Sequence, residues 1–560
     1  MEVLGCIFYN ILIFFNLIKN ISFLIKPPFL FLYIPLFTLM LIGPYFIVPI
    51  ESYWKEVVNF GLIILIGISL FFLMSSRAIR KGFLAFFVTL LHLLVFIKLS
   101  FYINYGVRLN ASAFYLIFET NKKESIGFLD AYFTSSVICL LIFLGISLVL
   151  FFIFFSKSTD VKFGSVIFKD KRIRICFFSA AIILSVFLIN NRLLRFNLFA
   201  SGVVAFEDYK NYKNLLRDNL SKPNSDNLKL KDSSFNNQTC VVIIGESTTR
   251  WHMQLYGYDR PTNPKLKELK DELYIFSDVI APNVHTILSL DKILTFSDYS
   301  NSNKENNASV VQLANMAGFE TYWLSNQQAI GLHESVSTLL GLSAKNQYFF
   351  AGDDNSAISY DEVIFGKLEE ILNDEVERKV VFIHLMGTHS RYNYRYPKNY
   401  SIFTQDDYQD ASLFKKSRQK KIDYYDNAVL YNDFVVRNII DMVDKTGDNS
   451  SVIYFSDHGD DLYDTSFDIV GHDEYHGTRP MYEVPFLLWL SSKHFLKKND
   501  GELREYVNRK YILEDFEHTF ADLLGVTHNL YEPNKSIINS NFKEKTRLVK
   551  NGIDYDKQED

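Results

Sequence analysis

Three short apolar runs from residue 240 onward each end on residues of types that bind metal ions. Cys240-Val-Val-Ile-Ile-Gly245 runs into Glu246, followed by Ser247, Thr248, Thr249 and Arg250. Val380 to Ile383 runs into His384, with Gly387, Thr388 and His389 just beyond, and Val452 to Phe455 runs through Ser456 into Asp457-His458-Gly459. Carboxylate and imidazole in this mixture suit zinc, which takes oxygen and nitrogen donors tetrahedrally. Downstream, Gly471-His472-Asp473-Glu474-Tyr475-His476 offers two more imidazoles, His472 and His476.

Group transfer also needs a nucleophile. Pro282-Asn-Val-His285 precedes Thr286, and the apolar residues from Ile287 onward recur at helical spacing. Thr286 therefore falls at a helix N-terminus, where amide donors and the dipole favour an anion. A cation on its oxygen would lower the hydroxyl pKa and make it a good nucleophile; a plain helix cap is the other reading. Ser289 and Thr295 lie inside the helix and are poorer candidates. Taken singly, Asp457-His458-Gly459 fits a turn, His384 a core histidine, and His252, His285 and His494 surface or turn positions. His518 lies on an amphipathic helix and needs no role. Several metal-type residues at the ends of separate strands point together to one site.

The elements that must position these residues alternate. Strands are expected over 240–246, 274–281, 320–325, 379–386, 451–456 and 484–490, and helices over 308–317, 361–374, 420–444 and 511–524. That pattern predicts an α/β domain with a mostly parallel sheet covered by helices, whose ligands gather at the strand C-termini. The catalytic domain is expected over 239–545, after a linker at 196–238 that is polar from 218 onward, with an acidic tail at 546–560 that is expected to fray from Asp554 to Asp560.

Residues 1–195 read as a transmembrane domain. Apolar stretches at 28–50, 57–76, 82–101, 131–155 and 173–191 are each long enough to span a bilayer, which needs about 20 residues. Residues 5–24 are interrupted by Asn10, Asn16, Lys19 and Asn20, which suggests an interfacial or poorly inserted segment, and 102–130 reads as an amphipathic surface element or a loop. Arg77, Arg80 and Lys81, and Lys157 to Arg174, put two loops on the cytoplasmic side. The fifth span then exits outward, so 192–560 belongs in the periplasm of a bacterium with two membranes. The net charge of −5 gives no basic field for nucleic acid. Of the four cysteines, Cys240 alone belongs to the soluble part, which excludes a disulfide framework there and suggests a buried free thiol.

With these residues in place the chain resembles the bacterial phosphoethanolamine transferases, inner-membrane enzymes with a sulfatase-like domain of the alkaline phosphatase superfamily. Gly245-Glu-Ser-Thr-Thr-Arg-Trp-His-Met-Gln-Leu-Tyr-Gly-Tyr-Asp-Arg-Pro-Thr-Asn-Pro264 is the most specific match. Thr321 to Gln328, His384 to Arg391, Tyr394 to Pro397, Tyr425-Asp-Asn-Ala and Phe455 to Gly459 add to it. The resemblance implies that Glu246, Thr286, Asp457 and His458 hold Zn2+. It implies that Thr286 is the nucleophile, and that His389 and His472 (or His476) contact the phosphoryl group or a second metal, with Asn326 near the substrate. It also implies a phosphatidylethanolamine donor, release of diacylglycerol, and a lipopolysaccharide acceptor, either core heptose or lipid A. In the lipid A-modifying branch the nucleophile usually sits in Cys-Gly-Thr-Ala-Thr and the domain has several disulfides. Asn283-Val-His-Thr-Ile, Ser325 to Gln328 and Val484 to Trp489 look instead like the branch that modifies core heptose. A sulfatase is disfavoured because Thr286-Ile-Leu-Ser-Leu lacks the Cys/Ser-x-Pro-x-Arg setting. A phosphoglycerol transferase using phosphatidylglycerol, or a non-catalytic membrane scaffold, is the alternative.

Overall fold

The computed structural model describes residues 53–105, 109, 114, 132–157, 170–231, 237–299, 307–327, 336–351, 359–404, 413–466, 469–474, 476–549 and 552–558. The chain forms two compact units, residues 1–120 with 128–209, and residues 121–127 with 210–560.

In the first unit, α1 (Tyr53–Leu73), α2 (Arg77–Tyr105), α3 (Ser135–Lys157) and α4 (Lys171–Leu188) take up four of the five expected spans. All four are long and apolar enough to cross a membrane. The expected span at 28–50 and the segment at 5–24 lie outside the described residues, so the count is four where five were expected. Large apolar side chains such as Phe86, Ile183 and Phe187 face outward, as lipid contact requires. Charge inside this unit is paired: the buried Glu56 carboxylate lies 3.3 Å from Lys98 Nζ and accepts from Tyr102 OH at 2.8 Å. Lys98 Nζ and Asn59 Nδ2 both donate to Phe196 O, at 3.2 and 3.0 Å.

A fifth helix, α5 (Leu198–Leu220), occupies much of the stretch expected to be a linker. Asn197 Oδ1 accepts from Ala200 N at 3.1 Å and so satisfies one of its first-turn donors.

The second unit is built on a seven-stranded sheet. Its strands are β1 (Gln238–Gly245), β2 (Leu273–Ile275), β4 (Glu320–Ser325), β5 (Asn346–Phe349), β6 (Arg378–His384), β7 (Ser450–Ser456) and β10 (Phe486–Leu490), in the order β2-β10-β7-β1-β6-β4-β5. Only the pairings of β10 are antiparallel. Central β1 is apolar from Cys240 to Ile244 because both its faces are covered: Cys240, Val242 and Ile244 join one buried layer, Val241 and Ile243 the other. The Cys240 thiol is pushed up to about 12 by burial, as an inert core thiol should be. Register pairs Ile244 with His384 and Gly245 with Ser456, so β1, β6 and β7 end level. Glu246, His384 and Asp457 thereby arrive side by side at the C-terminal edge.

Helices α6 (Thr286–Ile293), α7 (Val310–Met316), α8 (Phe365–Leu372), α9 (Leu413–Lys445) and α10 (Phe516–Leu524) include every expected helix. Three expectations change. The strand expected over 274–281 is two strands, β2 in the main sheet and β3 (Asp278–Ile280), which pairs in parallel with β11 (Lys510–Ile512). That pairing takes Tyr511 and Ile512 out of the helix expected from 511. The acidic end carries structure at 546–549 and 552–558: β12 (Leu548–Val549) pairs antiparallel with β13 (Ile553–Asp554). Its acids are paired instead of repelling one another, with Asp556 Oδ1 2.6 Å from Arg547 Nη2, while buried Tyr555 donates to Glu483 Oε1 at 2.6 Å.

Candidate active site

Glu246 follows β1 through a turn in which Ser247 has φ +58, a left-handed conformation rare outside glycine. Three bonds hold that turn. Ser247 N donates to Asp457 Oδ1 at 3.0 Å, and the Tyr425 hydroxyl on α9 donates to Ser247 O while accepting from Thr249 N, each at 2.8 Å. The loop after β6 packs directly on Glu246, with Thr388 N donating to Glu246 O at 3.0 Å. Gly387 is required there: a Cβ would lie 2.9 Å from the Glu246 backbone N and O. The hydroxyls of Ser247, Thr248 and Thr249 are buried in this scaffold, with Ser247 Oγ donating to Glu246 Oε1 and Thr248 Oγ1 beside Thr388 Oγ1.

Thr286 is the first residue of α6, so its hydroxyl projects from the helix N-terminus, with His285 as the preceding cap residue. Thr286 Oγ1 donates to Glu246 Oε1 at 3.0 Å and lies 3.4 Å from His458 Nε2. His458 Nε2 is also 3.4 Å from Glu246 Oε1 and 3.5 Å from Asp457 Oδ2. The ring is oriented by Nδ1, which donates to Gly459 O at 3.0 Å and so directs Nε2 at the carboxylates.

Two buried carboxylates converging on one imidazole demand positive charge. Burial alone would raise the Glu246 carboxyl, but the bond and charge of His458, with His389 and His384 nearby, hold it well below the usual range. Asp457 is pushed up, first by burial and then by the negative charge of Glu246. Burial opposes charge on His458, yet Asp457 and Glu246 outweigh it and push the imidazole up to about 10. Asp457 Oδ2 is buried without a hydrogen-bond donor. Donors about 2.0–2.2 Å from a tetrahedral zinc stand about 3.3–3.6 Å apart. The separations of 3.0 Å between Thr286 Oγ1 and Glu246 Oε1, and of 3.4 to 3.5 Å from His458 Nε2 to Thr286 Oγ1, Glu246 Oε1 and Asp457 Oδ2, fit such a cation.

A second grouping shares His458. His472 lies just past β9 (Val470–Gly471), which pairs with β8 (Asp461–Leu462). Its ring centroid is 4.1 Å from that of His458, and its Nδ1 is 2.6 Å from Asp460 Oδ1. Asp460 is itself held by Tyr392 OH at 2.7 Å. His458, Asp460 and His472 form a second potential metal cluster. His476, the alternative to His472, is turned to Asp473 Oδ2 at 2.7 Å. His389 is half-buried in the loop after β6, with Nδ1 3.3 Å from both Ser390 Oγ and Arg395 Nη2; burial pushes it down to about 4.

Asn326, expected near the substrate, follows β4 and is held by protein groups. Its Nδ2 donates to Asp361 Oδ1 at 2.9 Å, and its Oδ1 accepts from Ser359 Oγ at 2.5 Å. Asp361 in turn accepts from Met386 N and Gly387 N, so Asn326 supports the loop that packs on Glu246. The neighbouring Gln327 reaches the site instead, donating to Glu246 Oε2 at 3.2 Å. Gln327, Asp460, Tyr392 and the Tyr425 hydroxyl were missed as site residues; Asp460 directly follows Asp457-His458-Gly459, and Tyr425 opens a motif already singled out. Of the histidines expected at surface or turn positions, His252 and His494 are buried. His285 lies beside the cluster, its ring 5.4 Å from that of His472.

The Sulfatase family matches residues 238–526. Phosphoethanolamine transferase EptC of Escherichia coli K12 is 32% identical over 497 residues, which cover 82% of this chain and 83% of the relative. This chain is a member of the phosphoethanolamine transferase family. The crystal structure of the C-terminal periplasmic domain of EcEptC from Escherichia coli, in complex with Zn, superposes on this transferase with a TM-score of 0.54. The two are 35% identical over 60% of this chain and 95% of that one. The integral membrane lipooligosaccharide phosphoethanolamine transferase A from Neisseria meningitidis has a TM-score of 0.58 at 19% identity, covering 87% of this chain and 98% of that one. That likeness extends the shared fold to the membrane helices of this family member.

Proposed function

We propose that this transferase moves phosphoethanolamine from phosphatidylethanolamine to a lipopolysaccharide acceptor through a covalent adduct on Thr286. The observation that carries the reading is the position of Thr286 Oγ1, 3.0 Å from Glu246 Oε1 and 3.4 Å from His458 Nε2. Thr286, Glu246, Asp457 and His458 would hold zinc. When bound, zinc supplies the charge that lowers the Thr286 hydroxyl pKa and offsets negative charge on the phosphoryl oxygens.

The residues divide the work as follows. Thr286 Oγ1 gives up its proton, forms a bond to phosphorus, and the phosphorus–oxygen bond to glycerol breaks; the glycerol oxygen takes a proton and diacylglycerol leaves. An acceptor hydroxyl or phosphate then attacks the same phosphorus. The Thr286 oxygen–phosphorus bond breaks and Thr286 regains a proton. His472, oriented through Nδ1 by Asp460, offers Nε2 to the phosphoryl group or a second metal, and His389 lines the same face. The spans would serve a lipid donor, and the Lys/Arg loops support a multi-pass inner-membrane chain with its second unit in the periplasm.

The test uses the purified full chain with vesicles of phosphatidylethanolamine and added lipopolysaccharide. Diacylglycerol and mass-shifted lipopolysaccharide should appear together, and Thr286→Ala should abolish both. Release of diacylglycerol from phosphatidylglycerol but not from phosphatidylethanolamine would move the reading to a phosphoglycerol transferase.

A further inference from the structure

Beyond the cation site, the loop after β6 carries a cation of its own. Arg391 lies two residues past His389 and adopts φ +63, ψ +49, a left-handed conformation that a long side chain rarely takes. Its guanidinium stacks 4.4 Å above the ring of Tyr394, which is 39% exposed. Among the described residues Arg391 has no carboxylate partner.

Both sides of this residue are anchored. Arg395 Nε donates to His389 O at 3.0 Å, and Arg395 Nη2 donates to Ser390 O at 2.7 Å. On the other side, Tyr392 OH donates to Asp460 Oδ2, whose second oxygen orients His472. Among the described residues this guanidinium is thus un-neutralised, and Arg391 directly precedes Tyr392, which braces the His472–Asp460 pair. Its planar fork suits a phosphate.

We propose that Arg391, backed by Tyr394, is a subsite for an anionic phosphate of the acceptor. This rests on the transferase reading above and specifies the acceptor class as a phosphorylated glycan. Charge decides between the two substrates. The donor's one anionic group is the phosphodiester that reacts at Thr286; its amine would be repelled by a guanidinium, and its remainder is apolar. An additional fixed cation therefore has an acceptor anion to bind.

The experiment compares full-length Arg391→Asn and Arg391→Lys with the parent; asparagine tolerates the left-handed backbone and lysine keeps the charge. Two rates are read: formation of the Thr286 adduct from donor alone, and turnover against varied lipopolysaccharide, either native or chemically dephosphorylated. The expected result for Arg391→Asn is unchanged adduct formation and an acceptor KM raised about tenfold on native lipopolysaccharide, as loss of one charge-assisted contact implies. No rise is expected on dephosphorylated material, and Arg391→Lys should fall between. Slower adduct formation in Arg391→Asn would instead place the guanidinium on the reacting phosphoryl group and overturn the proposal. An equal KM for native acceptor in all three proteins would also overturn it. Absence of an adduct in the parent protein is a distinct result, and it refutes the transferase reading itself.

Discussion

The Tyr425 hydroxyl donates to Ser247 O at 2.8 Å from a helix 178 positions downstream, bracing the one-residue turn that aims Glu246. It accepts from Thr249 N at the same distance, so a single buried oxygen closes both ends of a left-handed turn. Tyr425→Phe removes that oxygen and keeps the ring. The expected outcome is a zinc affinity lower by about 10–100-fold, the usual effect of removing a group that orients a ligand. Metal titration of the purified protein checks this. Unchanged zinc affinity would show that the turn holds without Tyr425.

Asp460 fixes the His472 ring through Nδ1, whereas His476 is engaged by Asp473. Asp460→Asn should therefore lower kcat by about 10–100-fold while leaving folding intact, and His476→Ala should leave kcat near the parent value. Steady-state kinetics on the full chain separates them. A large loss in His476→Ala with none in Asp460→Asn would reverse the assignment of the third histidine.

His252 sits between Asp426 and Asp464, at 2.6 and 3.3 Å. Burial opposes its charge, but the two carboxylates outweigh burial and push it up to about 9 from an ordinary 6.5. A folded-state pKa above the unfolded one means the native state holds its proton more tightly. The stabilisation is thus complete below pH 6.5 and is lost as pH rises through about 9. His252→Asn should lose on the order of 2–3 kcal/mol relative to the parent near pH 6, shrinking above pH 9. Urea unfolding at several pH values reads the difference, and a gap that does not change with pH would contradict the charged pairing.

The C-terminal end bears on the same loop from the far side. Tyr555 OH donates to Glu483 Oε1, and Glu483 Oε2 receives Arg250 and Trp251, two residues that closely follow the Glu246 turn. Tyr555→Phe should cost about 1–3 kcal/mol, because it leaves a buried carboxylate oxygen short of a donor. Thermal unfolding checks this, and a neutral substitution would mean that water replaces the hydroxyl.

The strand ends carrying Glu246, His384 and Asp457 were legible because four-residue apolar runs in a doubly covered sheet have one geometry, and parallel strands must end at one edge. Thr286 was legible as a helix start from the periodicity after it, though nothing local distinguishes a nucleophile from a cap. The partners of Asn326 were not legible because motif position says nothing about which way an amide turns; hydrogen bonds to Asp361 and Ser359 decide that. Gln327, Asp460 and Tyr425 act through contacts as distant as 178 positions, which no local pattern encodes. The structure of the C-terminal end was unreadable for a related reason: its acidic residues are ordered by Arg547 and Lys510, partners supplied by the fold.

Intact-protein mass spectrometry of the full chain, incubated with phosphatidylethanolamine and no acceptor, tests the central claim most directly. The account predicts a single added phosphoethanolamine on the peptide containing Thr286, absent in Thr286→Ala and discharged when lipopolysaccharide is added. Full transfer of phosphoethanolamine to lipopolysaccharide by Thr286→Ala, or an adduct mapping to another residue, would contradict it.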